Sequence, residues 1–139
     1  MDNERYNIVN ELQGEMPSRA RTNGVTPAIK DIIKGKVMSF LEDKKVYLDP
    51  TMSLLKFSSI TSTNTTYLSN TVNECFGCSF RVLINKYRIE HAIKLMKADG
   101  EVSTDLYKSC GFASRSVFYA SFKQITGSTP GKYLKQYFR

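Results

Sequence analysis

Apolar side chains recur along this chain at three- and four-residue spacing, and no segment alternates with the two-residue period of a half-buried strand. Ile29, Ile32, Ile33, Val37, Phe40 and Leu41 form the first clear stripe. Thr26-Pro27 opens it, since threonine can cap a helix and proline suits a first turn whose N–H groups lack partners. The stripe ends near Asp43–Lys45, and Gly35 inside it costs about 1 kcal/mol relative to alanine. Leu54, Leu55 and Phe57 mark a short helix over Ser53–Ser59. After the turn "ITSTN", Thr63 or Asn64 caps a helix running to Cys75 or Phe76, with Leu68 and Val72 inward and Gly77 as its stop. The longest helix covers 79–97, with Phe80, Leu83, Ile84, Tyr87, Ala92, Leu95 and Met96 on its buried side. A short helix over Thr104–Ser109 follows. Ser114 caps the next helix and Gly127 ends it, and Thr129-Pro130 opens a last one carrying Tyr133, Leu134 and Tyr137. Residues 1–25 read as a flexible segment, with a weak helical pattern around Tyr6, Ile8, Val9 and Leu12 and the linker-like "GEMPSRARTNG". The expected fold class is all-α.

The pattern repeats. Shifted by 50 residues, Asn64 meets Ser114, Tyr67-Leu68 meets Val117-Phe118, Val72 meets Phe122, Gly77 meets Gly127, Ser79 meets Thr129 and Tyr87 meets Tyr137. Each copy reads short helix, turn, longer helix, glycine, helix. A tri-helical unit with a short internal turn, present twice, is what two helix-turn-helix subdomains joined by a long linker helix would look like.

Charge separates the two copies. Residues 1–78 carry 9 Lys+Arg and 9 Asp+Glu, whereas residues 79–139 carry 11 and 4, so the whole net charge of +7 lies in the second part. That excess favours a polyanionic partner, with a solvated cationic surface as the plainer reading. At 139 residues the chain can form one compact domain or two very small ones. It has no run of about 18 apolar residues that would span a membrane. The start lacks the basic-then-apolar order of a secretion signal, so a cytoplasmic location is expected. Cys75, Cys78 and Cys110 are too few for a disulfide framework, and His91 is the only histidine. No metal site or cofactor is expected, and the cysteines read as small apolar side chains. No nucleophile–base pair or phosphate-cradling glycine loop suggests an enzyme.

In a helix-turn-helix the second helix is held away from the body and its N-terminal part can enter a major groove. That needs an apolar back and a polar front. In the second copy Phe118 and Phe122 form the back, with Ser114, Arg115, Ser116 and Tyr119 towards the front. Arg115 could bridge N7 and O6 of a guanine, Ser114 and the helix end could hold a phosphate, and Lys123 suits backbone contact. In the first copy the front is Thr65, Thr66, Ser69, Asn70 and Asn73, with Asn64 at the capped end. Threonine can touch a thymine methyl and asparagine can pair with adenine. Arg81, Lys86 and Lys108 are phosphate candidates, with Arg88 and Lys94 as looser ones. The alternative is that both fronts are simply polar solvent faces.

Taken together, Gly111-Phe112, Ser114, Ser116, Phe118, Phe122-Lys123, Gly127 and Thr129-Pro130 resemble the second unit of the AraC/XylS family of bacterial transcription regulators. Tyr67-Leu68-Ser69, Gly77 and Ser79-Phe80 resemble its first unit, and Arg88-Ile89, Ala92 and Leu95-Met96 its linker helix. The resemblance runs from about Leu48 to Phe138. It implies an AraC-type, homeodomain-like domain over 48–139, preceded by an N-terminal helix over 26–47. The first helix-turn-helix would take 53–77, the linker helix 79–97, the second helix-turn-helix 103–127 and the C-terminal helix 129–138. It also implies double-stranded DNA as partner, read in adjacent major-groove segments, with RNA polymerase as a further partner. Self-association would go through the N-terminal helix or an attached sensing domain. Asn70 and Ala120 stand where the family commonly has arginine, and for Arg88 the resemblance implies a structural role as the alternative to phosphate contact. Tyr107 replaces a small alanine and must find extra room, while Ser58, at the matching place in the first unit, is a milder change. An all-α protein-interaction module and a thiol- or metal-responsive DNA-binding switch are the alternatives.

Overall fold

In the computed structural model, residues 26–138 are described; among them there are helices and turns and no strand. Helix α1 spans Pro27–Met38 and widens into a π-turn over Ser39–Asp43. A 3-10 turn covers Val46–Leu48. Then come α2 (Leu54–Ile60), α3 (Thr65–Phe76) and α4 (Phe80–Asp99). They are followed by α5 (Leu106–Ser109), α6 (Arg115–Thr126) and α7 (Pro130–Tyr137). The pattern expected around Tyr6–Leu12 and the linker before Thr26 lie outside the described residues.

The caps form as their residue types require. Thr26 Oγ1 accepts from the Ile29 N–H at 3.2 Å, Asn64 Oδ1 from Tyr67 at 2.7 Å, Ser114 Oγ from Val117 at 3.2 Å and Thr129 Oγ1 from Lys132 at 3.3 Å. Each satisfies an N–H that the helix itself cannot, which is worth about 1 kcal/mol. Gly77 and Gly127 end α3 and α6 in the left-handed region, with φ of 73° and 83°.

Contacts divide the chain into two compact units, and the division falls within α4 after Leu83. The first holds residues 26–45 and 52–83; the second holds 46–51 and 84 onward. The N-terminal helix thus falls in the first unit. Residues 46–51 belong with the second unit although they precede α2.

In the first unit α1 and α2 both pack on α3. Ile33, Val37, Leu41, Phe57, Leu68, Val72, Cys75 and Phe80 are buried. Phe57 meets Phe40 and Phe80 edge-on, with centroids 5.9 and 5.0 Å apart. Lys36 Nζ donates to the Thr61 carbonyl at 2.8 Å, so α1 also closes the C-terminal end of α2. Lys30, only 1% exposed, forms an ion pair with Glu74 of α3. Burial pushes the Lys30 ammonium down to about 8, opposed by the nearby Cys75 sulfur.

In the second unit Ile89, Ala92, Met96, Leu106, Cys110, Phe112, Phe118, Phe122 and Leu134 form the core. Phe118 meets Phe112 and Phe122 at 5.5 and 5.9 Å, and Phe122 meets Tyr133 at 5.6 Å. The stripe expected on the linker helix is corrected at one place: Arg88 and Ile89 are buried, whereas Tyr87 and Leu95 are only half-buried. Arg88 donates from Nε to the Tyr47 carbonyl at 2.7 Å and from Nη2 to the Asp49 carbonyl at 2.9 Å. Its guanidinium also lies 5.4 Å from the Phe112 ring centroid. Arg88 thus ties the 46–51 strap to α4, and it leaves the set of phosphate candidates.

The two internal turns share one hydrogen-bond scheme. Thr63 N–H donates to Ser58 O and Ser62 N–H to Ser59 O; Phe112 N–H donates to Tyr107 O and Gly111 N–H to Lys108 O. These are Schellman closures. They align at an offset of 49 residues, while the caps Asn64 and Ser114 align at 50, so the second turn holds one more residue. Ser58 and Tyr107 occupy the same place in the scheme. Ser58 is buried, and Tyr107 finds its room at the edge of the core, half-buried beneath Arg115. The left-handed residue is Ser62 in the first turn (φ 57°) and Gly111 in the second (φ 97°). A Cβ on Gly111 would lie 2.4 Å from the Tyr47 carbonyl oxygen and 3.0 Å from Arg88 Nε.

Ser62→Gly should raise unfolding stability by about 1 kcal/mol by removing left-handed strain. Gly111→Ala should lower it by about 2–4 kcal/mol, since strain and a backbone clash combine; urea unfolding of both variants checks the opposite signs. Glu74→Gln should lower stability by taking the opposing carboxylate charge from the buried Lys30 ammonium, while Lys30→Met with Glu74→Leu should recover most of the loss. Because the folded-state value of Lys30 lies below its unfolded value, the unfolded chain binds more protons between about 8 and 10.5. Stability of the unaltered protein should therefore rise as pH increases through that window, which denaturation at several pH values would show.

Candidate nucleic-acid interface

α3 and α6 are each 12 residues long, with one covered face and one uncovered face. On α3 the buried side is Leu68, Thr71, Val72 and Cys75; on α6 it is Phe118, Ser121 and Phe122. Helical periodicity turns 66, 69, 70 and 73 outward on α3, and 116, 119, 120 and 123 on α6. Thr66 and Asn73 are exposed, and Thr65, Ser69 and Asn70 are half-buried. Arg115, Ser116, Tyr119, Ala120 and Lys123 are all exposed. The fronts read from the sequence are thus on the uncovered sides of their helices, each within its own unit.

Asn64 and Ser114 spend an oxygen lone pair on the cap, so any phosphate contact from them would use the side-chain N–H or O–H, or the N–H groups of the first turn. Asn73 turns its amide back to the Ser69 carbonyl at 3.0 Å. Asn70, one turn nearer the N-terminus, is the other amide on that stripe. Arg115 Nη2 donates to the Thr104 carbonyl at 2.9 Å, and its guanidinium carbon lies 5.8 Å from the Tyr107 ring centroid. These contacts steady the guanidinium at the entrance of α6 and leave other N–H donors for a partner. Tyr119 stands edge-on to Phe118 at 5.2 Å and is 41% exposed. Arg81, Lys86, Lys94 and Lys108 are exposed.

The electrostatics of the two helices differ. α3 contains no lysine or arginine, and its single acidic residue, Glu74, is paired with Lys30. The pair removes the one charge on α3 that would repel a polyanion. α6 carries Arg115 and Lys123 and no acid. The sequence reading missed Val117, an apolar side chain 52% exposed on the flank of α6. Its alignment with half-buried Tyr67 in the repeat concealed it, although a helical wheel drawn from the buried phenylalanines would have found it.

Two of the three cysteines, Cys75 and Cys110, are buried and Cys78 is half-buried. Burial pushes the Cys110 thiol up to about 12, and Cys75 is equally buried. Among the described residues no group of three or more His, Cys, Asp or Glu could hold a metal ion. His91 is half-buried and edge-on to Tyr47 at 6.1 Å. Among the described residues no helix is long and apolar enough to cross a membrane.

Comparison with known proteins agrees with this geometry. Residues 57–136 match a family described as "Helix-turn-helix domain". An uncharacterised HTH-type transcriptional regulator of Staphylococcus aureus is 31% identical over 98 residues, which cover 70% of this chain and 13% of that protein. The uncharacterised HTH-type transcriptional regulator YijO of Escherichia coli is 25% identical over 130 residues, covering 91% of this chain and 41% of YijO. The chain therefore corresponds to less than half the length of these relatives. Among solved structures, a protein of unknown function from Listeria innocua superposes with a TM-score of 0.63 at 27% identity, over 74% of this chain and 95% of that one. The C-terminal domain of AraT, a response regulator from Geobacillus stearothermophilus, shares the fold with a TM-score of 0.62 at 19% identity, over 81% and 87% of the two chains. With two outward helices backed by apolar cores and a matched domain over most of both units, this chain belongs to the AraC-type helix-turn-helix domain family.

Proposed function

We propose that the chain binds a specific duplex DNA site by setting α3 and α6 into adjacent major-groove segments. The observation that carries this reading is the pair of equivalent outward faces, polar at 65, 66, 69 and 70 and at 115, 116 and 119, each backed by a buried core. Thr65, Thr66, Ser69 and Asn70 read bases in one segment, and Arg115, Ser116 and Tyr119 in the other. Asn64, Ser114, Lys123, Arg81, Lys86 and Lys108 hold phosphates and set the register. The contacts of Arg115 with Thr104 and Tyr107 support its role, because a guanidinium already restrained loses less freedom on meeting a guanine. Self-association through α1 would rest on Ile32, which is 60% exposed.

Selection from a random duplex pool should return two half-motifs about ten base pairs apart. A single short motif would leave base reading to one helix. Arg115→Ala should cost about 1–3 kcal/mol on the selected site and relax preference at one base pair, measured by gel shift. An equal loss on selected and random DNA would move Arg115 to the phosphate set. Lys123→Ala should weaken all sequences alike and reduce the slope of log K against log salt by about 1. Binding that does not change between about 50 and 200 mM salt would overturn the phosphate assignments.

A further inference from the structure

The middle of each outward stripe is occupied by a residue that favours an A·T pair. Residues 70 and 120 are related by the 50-residue repeat and sit at equivalent places on α3 and α6. Asparagine offers one donor and one acceptor in the spacing of adenine N6 and N7, and alanine offers only a methyl group that fits the C5-methyl of thymine. Neither matches the paired acceptors of guanine. The neighbours agree with this. Thr66 is exposed and carries a methyl group, Asn73 is turned back on the Ser69 carbonyl, and Val117 presents an apolar flank beside Ala120. The α3 stripe has no cation, and on α6 the two cations lie at 115 and 123, away from the middle.

We infer that the central base pair of each half-site is A·T, read by Asn70 through adenine N6 and N7 and by Ala120 through the thymine methyl. This rests on the proposed docking of α3 and α6 and adds the base class that each helix accepts at its middle. Guanine reading is confined to Arg115 at the end of α6. Where cations are absent from the stripe, affinity comes from phosphate contacts outside it, and the stripe supplies discrimination.

Two base analogues test it on the selected site. Replacing the central adenine of the first half-site by 7-deazaadenine removes the N7 acceptor and should weaken binding by about tenfold, within the range for losing a bidentate contact. Asn70→Ala should bind both duplexes equally. Replacing the central thymine of the second half-site by deoxyuridine removes one methyl group and should weaken binding about fourfold. Ala120→Arg should lose that methyl dependence and shift its preference at the same pair to guanine. Both side chains sit on the uncovered faces, and circular dichroism would verify that the variants remain helical. Tight, sequence-selective binding by the unaltered protein that neither analogue weakens would overturn the inference and leave the docking intact. G·C at both central pairs would do the same. Failure to bind any duplex at low salt would overturn the docking itself, and this inference with it.

Discussion

Phe118 and Phe122 must be covered for the front of α6 to be presented at a fixed angle, and everything cationic on that helix depends on this covering. Burying two phenylalanines contributes about 1.5–3 kcal/mol each. Phe112 and Tyr133 approach them from opposite ends of the helix sequence, at 5.5 and 5.6 Å. Leu68, Val72 and Cys75 do the same for α3, against α1 and α2. In both units the polar front is a by-product of the apolar back. Once three or four positions of a 12-residue helix are committed to the core, the remaining positions have nowhere to go but outward.

The same constraint explains why the units can differ in charge and keep one architecture. The second unit carries most of the cationic excess, and the outward helix of the first has no lysine or arginine. Its one acidic residue is Glu74, and the structure neutralises it from behind with Lys30. A buried ion pair is a weak source of net stability because both charges lose water. The pair links α1 to α3. Lys36 adds a second polar tie from α1, at the Thr61 carbonyl.

Periodicity made the helices, the caps and the glycine stops legible, because each is set by residues close in sequence. Asn64, Ser114, Gly77 and Gly127 needed only their own neighbours to be recognised. The outward fronts were legible for the same reason, since identifying Phe118 and Phe122 as the back assigns the front. What stayed hidden depends on residues far apart. Lys30 and Glu74 are 44 positions apart, and each alone reads as a surface charge. For Arg88 the family resemblance already offered a structural role, but its acceptors, the carbonyls of Tyr47 and Asp49, carry no side-chain signature. The assignment of 46–51 to the second unit was hidden for that reason too, because a strap held by backbone oxygens leaves no mark in composition.

The extra residue in the second turn shows how such distant contacts reach back into local sequence. Both turns need one left-handed residue, and both achieve it with the same pair of backbone hydrogen bonds. The first accepts a serine, whose cost is local strain at an exposed site. The second cannot, because the Tyr47 carbonyl, held in place by Arg88, occupies the space where a Cβ would stand. Glycine at 111 is thus required by a contact with a residue 64 positions earlier as well as by the turn that contains it. The consequence runs forward along the chain: Gly111 admits the strap, Phe112 follows it into the core against Phe118, and Phe118 holds the face that Ser116, Tyr119 and Ala120 turn outward.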